Sequence, residues 1–215
     1  MAGVFITFEG IDGSGKSTQM RLLAGVLRQQ GLEVLTTREP GGTPLGQRLR
    51  AALLDVDEQV DPLAELLVFA ADRAQHVRTV LRPAVESGQV VFSDRYADAT
   101  VAYQGAGRGF DKKLIDEIVA LATDGLQPDL TLIFDLSVAE CVARTRRRHE
   151  NKNTGDRIDS EDIEFHTRVR EAYLRIAAAE PRRVRIIDAS GETEKTHQIV
   201  LDTVTAVLHE RGLIT

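Results

Sequence analysis

Phe8-Glu9-Gly10-Ile11-Asp12-Gly13-Ser14-Gly15-Lys16-Ser17-Thr18 is the stretch that decides the fold. It holds the pattern G-x-x-x-x-G-K-S, from Gly10 to Ser17. Glycines let successive backbone N–H groups turn inward around a di- or triphosphate. Lys16 adds a point charge for the β/γ oxygens, and the Ser17 hydroxyl is a ligand for Mg²⁺. The apolar run Val4–Phe8 before the loop reads as a buried parallel strand. Ser17–Gln30 after it reads as a helix, with Met20, Leu22, Leu23, Val26 and Leu27 apolar. Strand, glycine loop and helix N-terminus together set a helix dipole beneath an anion.

Outward from that loop, apolar runs alternate with helical patterns. Strands are expected at Val4–Phe8, Glu33–Thr37, Val90–Ser93, Leu130–Phe134 and Val184–Ile187. Helices are expected at 17–30, 44–54, 62–87, 111–124, 137–148, 160–179 and 194–211. This alternation predicts an α/β domain, a five-stranded parallel sheet with helices on both faces. Ser137 and Glu140 form a capping box. Gly31, Gly88 and Gly212 stand at helix ends. The stretch 149–159 has no apolar period and reads as a mobile loop.

Composition narrows the function. With 215 residues, one domain burying about 70% of its unfolded surface is expected. A net charge of −6 argues against bulk attraction to nucleic acid or an anionic membrane. The single cysteine, Cys141, excludes an internal disulfide and fits a reducing cytoplasm as a packed thiol. No signal peptide or membrane-spanning run is visible.

Parallel sheets bind ligands beyond the carboxyl ends of their strands. Arg38-Glu39-Pro40-Gly41-Gly42-Thr43, Asp94-Arg95-Tyr96, Asp135 and Asp188 are expected there. Arg38 and Arg95 suit a phosphate, which a guanidinium grips bidentately. The alternative for both is a local salt bridge, with Glu39 and Asp94 as partners. Asp94 and Asp135 compete for the acidic position beside Mg²⁺. Asp94 is preferred, because in phosphate-loop kinases the strand carrying that acid usually neighbours strand one, and strand three is the expected neighbour; the strand order expected for the sheet is 2-3-1-4-5. In the helix near 62–78, Leu63, Leu66, Leu67, Ala70, Ala71, Ala74 and Val77 read as the core stripe. Phe69 points aside with Arg73 at i+4, a platform for a planar base or a widening of the core face. The five histidines lie on predicted helices or the polar loop, away from strand ends.

The chain resembles the bacterial thymidylate kinases. The resemblance rests on Phe8–Gln19, Thr37–Thr43, Phe69–His76, Asp94-Arg95-Tyr96, Ala102-Tyr103-Gln104-Gly105 and Gly107-Arg108-Gly109, in the family's order. It implies a single P-loop NTPase domain over residues 1–215, with a short arginine-bearing lid at about 146–159. The implied reaction is transfer of the γ-phosphoryl of ATP to dTMP, giving dTDP on the route to dTTP. ATP would lie on Gly10, Ile11, Asp12, Gly13, Ser14, Gly15, Lys16, Ser17 and Thr18, with Mg²⁺ at Ser17 and Asp94. dTMP would be held by Asp12 at the 3′-hydroxyl, Arg38 and Arg95 at the phosphate, and Phe69, Arg73 and Gln104 at the base. Tyr103 would crowd the 2′ position. Lys16, Arg95 and Arg157 would be catalytic, with Arg146, Arg147 and Arg148 as alternatives for the lid arginine. Gly13 stands where eukaryotic-type members carry an arginine, so the lid must supply one. A homodimer through the helices near 44–87 is also implied.

Two other readings stand beside it. A deoxynucleoside kinase would need a carboxylate base, Glu9 or Glu39, at a neutral hydroxyl. A guanine-nucleotide switch is suggested only by Asn151-Lys152-Asn153-Thr154, which lacks the aspartate of N-K-x-D.

Overall fold

The computed structural model describes residues 3–54, 59–152 and 157–214. Its sheet has the order β2-β3-β1-β4-β5 and is parallel throughout. The strands are β1 (Val4–Glu9), β2 (Val34–Arg38), β3 (Val90–Asp94), β4 (Leu130–Asp135) and β5 (Val184–Asp188). The central strands β1, β3 and β4 are buried nearly throughout, whereas the edge strands β2 and β5 are partly exposed. Strands covered on both faces need continuous apolar sequence, which is why the central three are so legible.

Both faces are packed. Val4, Ile6, Phe8, Val90 and Phe92 share a core with Leu23 and Leu27 of α1 (Lys16–Gln29) and Val200, Val204 and Leu208 of α9 (Thr193–Glu210). Phe5 and Val91 join a second cluster with Val77, Leu81, Ala84 and Tyr96. The other helices are α2 (Pro44–Leu54), α3 (Pro62–His76), α4 (Arg82–Glu86), α5 (Ala97–Thr100), α6 (Lys112–Thr123), α7 (Val138–Lys152) and α8 (Ile163–Ala179).

The structure departs from the sequence reading at four places. First, helix 62–87 is continuous but widens to a π-turn at Val77–Leu81, where Arg82 N–H bonds Val77 O. Pro83 has no amide to give an ordinary i−4 bond, and its ring crowds that carbonyl. Second, α5 and the π-turn segment Val101–Gly107 form a helical element where the sequence reading places none. Gly107 is there for packing: a Cβ would lie 2.7 Å from the Phe165 ring of α8.

Third, α3 is turned relative to its expected stripe. Leu66 and Val77 are buried, but Leu63 is 47% and Leu67 52% exposed, and Ala71 is exposed. The inward face carries Glu65, Asp72, Arg73 and His76 instead. Polar groups can be buried where they satisfy one another, as Glu65, Arg73 and His76 do, while Asp72 is bonded through Oδ1 alone. Fourth, the polar stretch is not all loop. α7 runs on to Lys152, and Ile158–Ser160 is a 3₁₀ turn with Ile158 buried. Residues 153–156 of the expected lid lie outside the described residues.

Candidate active site

Strand-end residues meet at the carboxyl edge. Register sets Phe8 and Arg38 on either side of Asp94, so the phosphate loop and the two basic strand ends are neighbours. Helix α1 begins at Lys16 behind Gly15, at φ 95°, with no side chain capping its N-terminus. Its first amides stay available for an anion. Gly13 sits at φ 87°, where a Cβ would lie 2.4 Å from Cys141 O. No side chain fits there, which agrees with a loop that carries no arginine of its own. Cys141 is buried, and burial pushes its thiol up to about 12, so it is an inert packed group.

Asp12 links the loop to β3. Its Oδ1 lies 3.0 Å from Lys16 Nζ and its Oδ2 2.6 Å from Arg95 Nη2. Burial pushes the Asp12 carboxyl up, but Arg95 and then Lys16 outweigh this and hold it well below the usual range. Arg95 stands at φ 74°, a costly conformation for a non-glycine residue. Three bonds hold it: Arg95 N–H to Phe8 O (3.0 Å), Ser93 Oγ–H to Arg95 O (2.7 Å), and Tyr96 N–H to Glu9 Oε1 (2.7 Å). Its guanidinium donates to Tyr103 OH (2.9 Å) and Tyr173 OH (3.3 Å). The local partner of Arg95 is therefore Asp12, not Asp94. Asp94 instead accepts from Ser17 Oγ, with Lys16 Nζ 3.9 Å from its other oxygen. Asp135, the competing acid, is held bidentately by Arg170 at 2.6 and 2.8 Å.

One cavity of about 740 Å³ joins these groups to the rest of the edge. It is lined by Asp12, Lys16, Ser17, Asp94 and Arg95, and by Arg38, Phe69, Arg73, Tyr103 and Gln104. A second cavity of about 400 Å³ runs along Gly13–Gln19. Arg148 lines both cavities, and Arg144 lines the second. Arg157 lines neither: its Nη2 lies 2.5 Å from Glu65 Oε2. Arg146 faces a third cavity beside Asp12 and Thr145.

The α3 wall is densely bonded. Arg73 donates Nε–H to Glu39 Oε2 (2.8 Å), Nη1–H to Thr100 Oγ1 (2.7 Å) and Nη2–H to Tyr96 O (2.7 Å). His76 is fully buried, its Nδ1 2.9 Å from Glu39 Oε1 and its Nε2 2.8 Å from Thr37 Oγ1. So one histidine does reach the strand ends, bracketing Arg38 from both sides. Asp72 accepts from Gly41 N–H at 3.1 Å. Arg38 itself is exposed, with no ion-pair partner among the described residues. His76, Asp72 and Glu65 were not legible as site-wall residues; their only signal is i, i+7, i+11 spacing on one helix face with Arg73 beside them.

The carboxylates that a hydroxyl-phosphorylating enzyme would use as base are otherwise engaged. Glu9 has no exposure and accepts from Tyr96 N–H and, at 2.7 Å, from Tyr173 O–H. Glu39 is shared between Arg73 and His76.

A phosphate loop on a 2-3-1-4-5 parallel sheet, opening beside a cavity with basic and aromatic walls, defines a P-loop phosphoryl transferase. The thymidylate kinase family model matches residues 8–200. The chain is 48% identical over 209 residues to a thymidylate kinase of Nitratidesulfovibrio vulgaris, covering 95% of this chain and 97% of that one. It is 46% identical over 208 residues to one of Halothermothrix orenii, covering 97% and 99%. A crystal structure of thymidylate kinase from Ehrlichia chaffeensis superposes with a TM-score of 0.77 at 35% identity, covering 95% of this chain and all of that one. The chain belongs to the thymidylate kinase family, in its bacterial type: an ATP-dependent kinase that transfers a phosphoryl group from ATP to dTMP, producing dTDP.

Proposed function

We propose that this transfer is run by alignment and charge neutralisation, with ATP along the phosphate loop and dTMP in the 740 Å³ cavity. The observation that carries the reading is the continuity of that cavity, from Lys16, Ser17 and Asp94 to Arg38, Phe69 and Arg73. The loop amides of Gly10–Thr18 and Lys16 would hold the donor phosphates. Arg95, fixed between Asp12 and Tyr103, would face the transferring group. Arg38 would meet the acceptor phosphate, Phe69 stack on the base, Arg73 bond its carbonyl, and Gln104 and Tyr103 close the pocket. The acceptor is a phosphate with a second pKa near 6, so it is largely ionised at neutral pH and needs no general base.

Ser17 and Asp94 offer a hydroxyl and a carboxylate side by side, an all-oxygen set that suits Mg²⁺. Among the described residues no cluster of three or more acidic, histidine or cysteine side chains could hold a metal alone. This suits an ion that keeps waters and takes phosphate oxygens. Ser17 and Asp94 would hold Mg²⁺, which would supply positive charge against the phosphates.

For the lid arginine, Arg148 replaces Arg157, because Arg148 lines both cavities whereas Arg157 is bonded to Glu65. The exposed leucines of α2 and α3, Leu45, Leu63 and Leu67, support a homodimer through these helices. No described helix is long and apolar enough to cross a membrane, which agrees with a working place in the cytoplasm.

The test is ADP release from Mg·ATP with dTMP, dUMP, the ribose analogue of dTMP, thymidine, AMP, or no acceptor. Strong preference for dTMP with thymidine silent is expected. Turnover of thymidine but not dTMP would overturn the roles given to Arg38 and Arg95.

A further inference from the structure

Glu65 sits 1% exposed on α3 beneath the cavity, and its carboxylate is the meeting point of three elements. Oε1 accepts from Gln104 Nε2 (2.9 Å) and Arg108 Nε (3.1 Å). Oε2 accepts from Arg108 Nη2 (2.9 Å) and Arg157 Nη2 (2.5 Å). Burial pushes the carboxyl up, but the bonds from Arg108, Arg157 and Gln104 outweigh it and hold the carboxyl below its ordinary range. The second arginine charge is balanced by Glu161, 2.7 Å from Arg108 Nη1. Charge-assisted bonds of this kind fix geometry as well as adding stability.

Arg157 is anchored further. It donates Nε–H to Leu53 O (3.3 Å) and its amide to Leu54 O (3.2 Å), at the end of α2. Two residues on, Asp159 lines the cavity with its Oδ2 3.5 Å from Arg148 Nη2. On the other side, a carboxylate can only accept, so Gln104 must turn its NH₂ to Glu65 and its carbonyl oxygen toward the cavity.

We propose that Glu65 and Arg157 are positioning residues. Together they lock the return segment of the lid onto the acceptor wall, so that Asp159 presents Arg148 to the phosphates while Gln104 is set for the base. The inference rests on the roles proposed above for Arg148 and the cavity. Arg157 thus acts through Arg148 and does not touch the reacting group.

The test is a cycle of R157A, R148A and the double variant, with E65Q alongside, reading kcat, both KM values and the melting midpoint. R157A should lower kcat about tenfold while the KM for ATP stays within twofold. In the R148A background the same change should cost less than twofold, since residues acting in series are not additive. E65Q should lower kcat and also raise the KM for dTMP, because Gln104 loses its fixed partner. An equal tenfold loss in both backgrounds overturns the proposal, since Arg157 would then act on the phosphates directly. Unchanged kcat in R157A, or in R148A, also overturns it. If R157A does not fold, E65Q and E65Q/R148A carry the same criterion. Wild-type turnover of dTMP is read in the same assay, so a failure of the kinase reading shows in that arm and a failure of positioning only in the variants.

Discussion

Arg73 and Arg38 stand on facing parts of one cavity in opposite conditions. Arg73 is 3% exposed and donates to Glu39, Thr100 and Tyr96. Arg38 is exposed and without an ion-pair partner among the described residues. On the α3 wall Arg73 is already fully engaged by the protein, while the β2 end carries a guanidinium without such a partner. In the proposed base-reading role such a wall would need its donors held at fixed angles, which bonds among its own polar groups supply. In its proposed role Arg38 would gain most by taking the phosphate itself as partner. Ser14 Oγ and Thr145 Oγ1, buried beside the loop, have no hydrogen-bond partner among the described residues, and on the α3 wall neither has Asp72 Oδ2.

Breaking the junction between the two regions should cost most. Arg95→Ala should lower kcat by about 10³-fold or more, the range seen when a group stabilising transition-state charge is removed. Steady-state turnover at saturating ATP and dTMP checks it, and near-normal turnover would sink the assignment. Next comes the α3 wall. Arg73→Ala leaves Glu39 buried beside His76 with one cation gone, and should destabilise the fold by about 3 kcal/mol. Chemical denaturation reads this directly, and a variant as stable as the wild type would mean the wall is not pre-bonded in solution.

Arg38→Ala should do the converse. It should raise the KM for dTMP about ten- to a hundredfold and leave the melting midpoint nearly unchanged, because no partner is stranded. A large drop in the midpoint would erase the contrast with Arg73. The smallest effect concerns Asp72. Burial, and then Glu39, raise its carboxyl from 3.8 to about 6. The folded chain thus keeps a proton that the unfolded chain loses between about pH 4 and 6. The contribution is present below pH 4 and lost as pH rises through 6. Asp72→Asn should flatten that slope and add about 1 kcal/mol at pH 7, measured by denaturation at pH 4, 5, 6 and 7. An unchanged slope would show that Asp72 titrates normally.

The sequence reading reached the fold because its signals are local. The apolar runs of β1, β3 and β4, the loop Gly10–Ser17 and the capping box at Ser137 each depend on neighbours along the chain. Ser137 Oγ does accept from Glu140 N–H, at 3.3 Å. Local pattern also misled. On α3 the leucines suggested an inward stripe, yet Leu63 and Leu67 face outward. Hydrophobic periodicity assumes that buried means apolar, and this fails where a helix buries polar groups against a site.

What the sequence alone determined was the phosphate loop, the parallel sheet and its order, the strand-end charges and, through shared motifs, the family. These follow from backbone conformation and from chemistry carried within a few residues. Only the tertiary structure decided which charges meet: Asp12 with Arg95, Glu39 with Arg73 and His76, and Glu65 with Arg157. Those pairs span 34 to 92 residues of chain outside the local window, from Glu39–Arg73 to Glu65–Arg157. A carboxylate's choice among several arginines is fixed by distance and burial, and neither is written in sequence order.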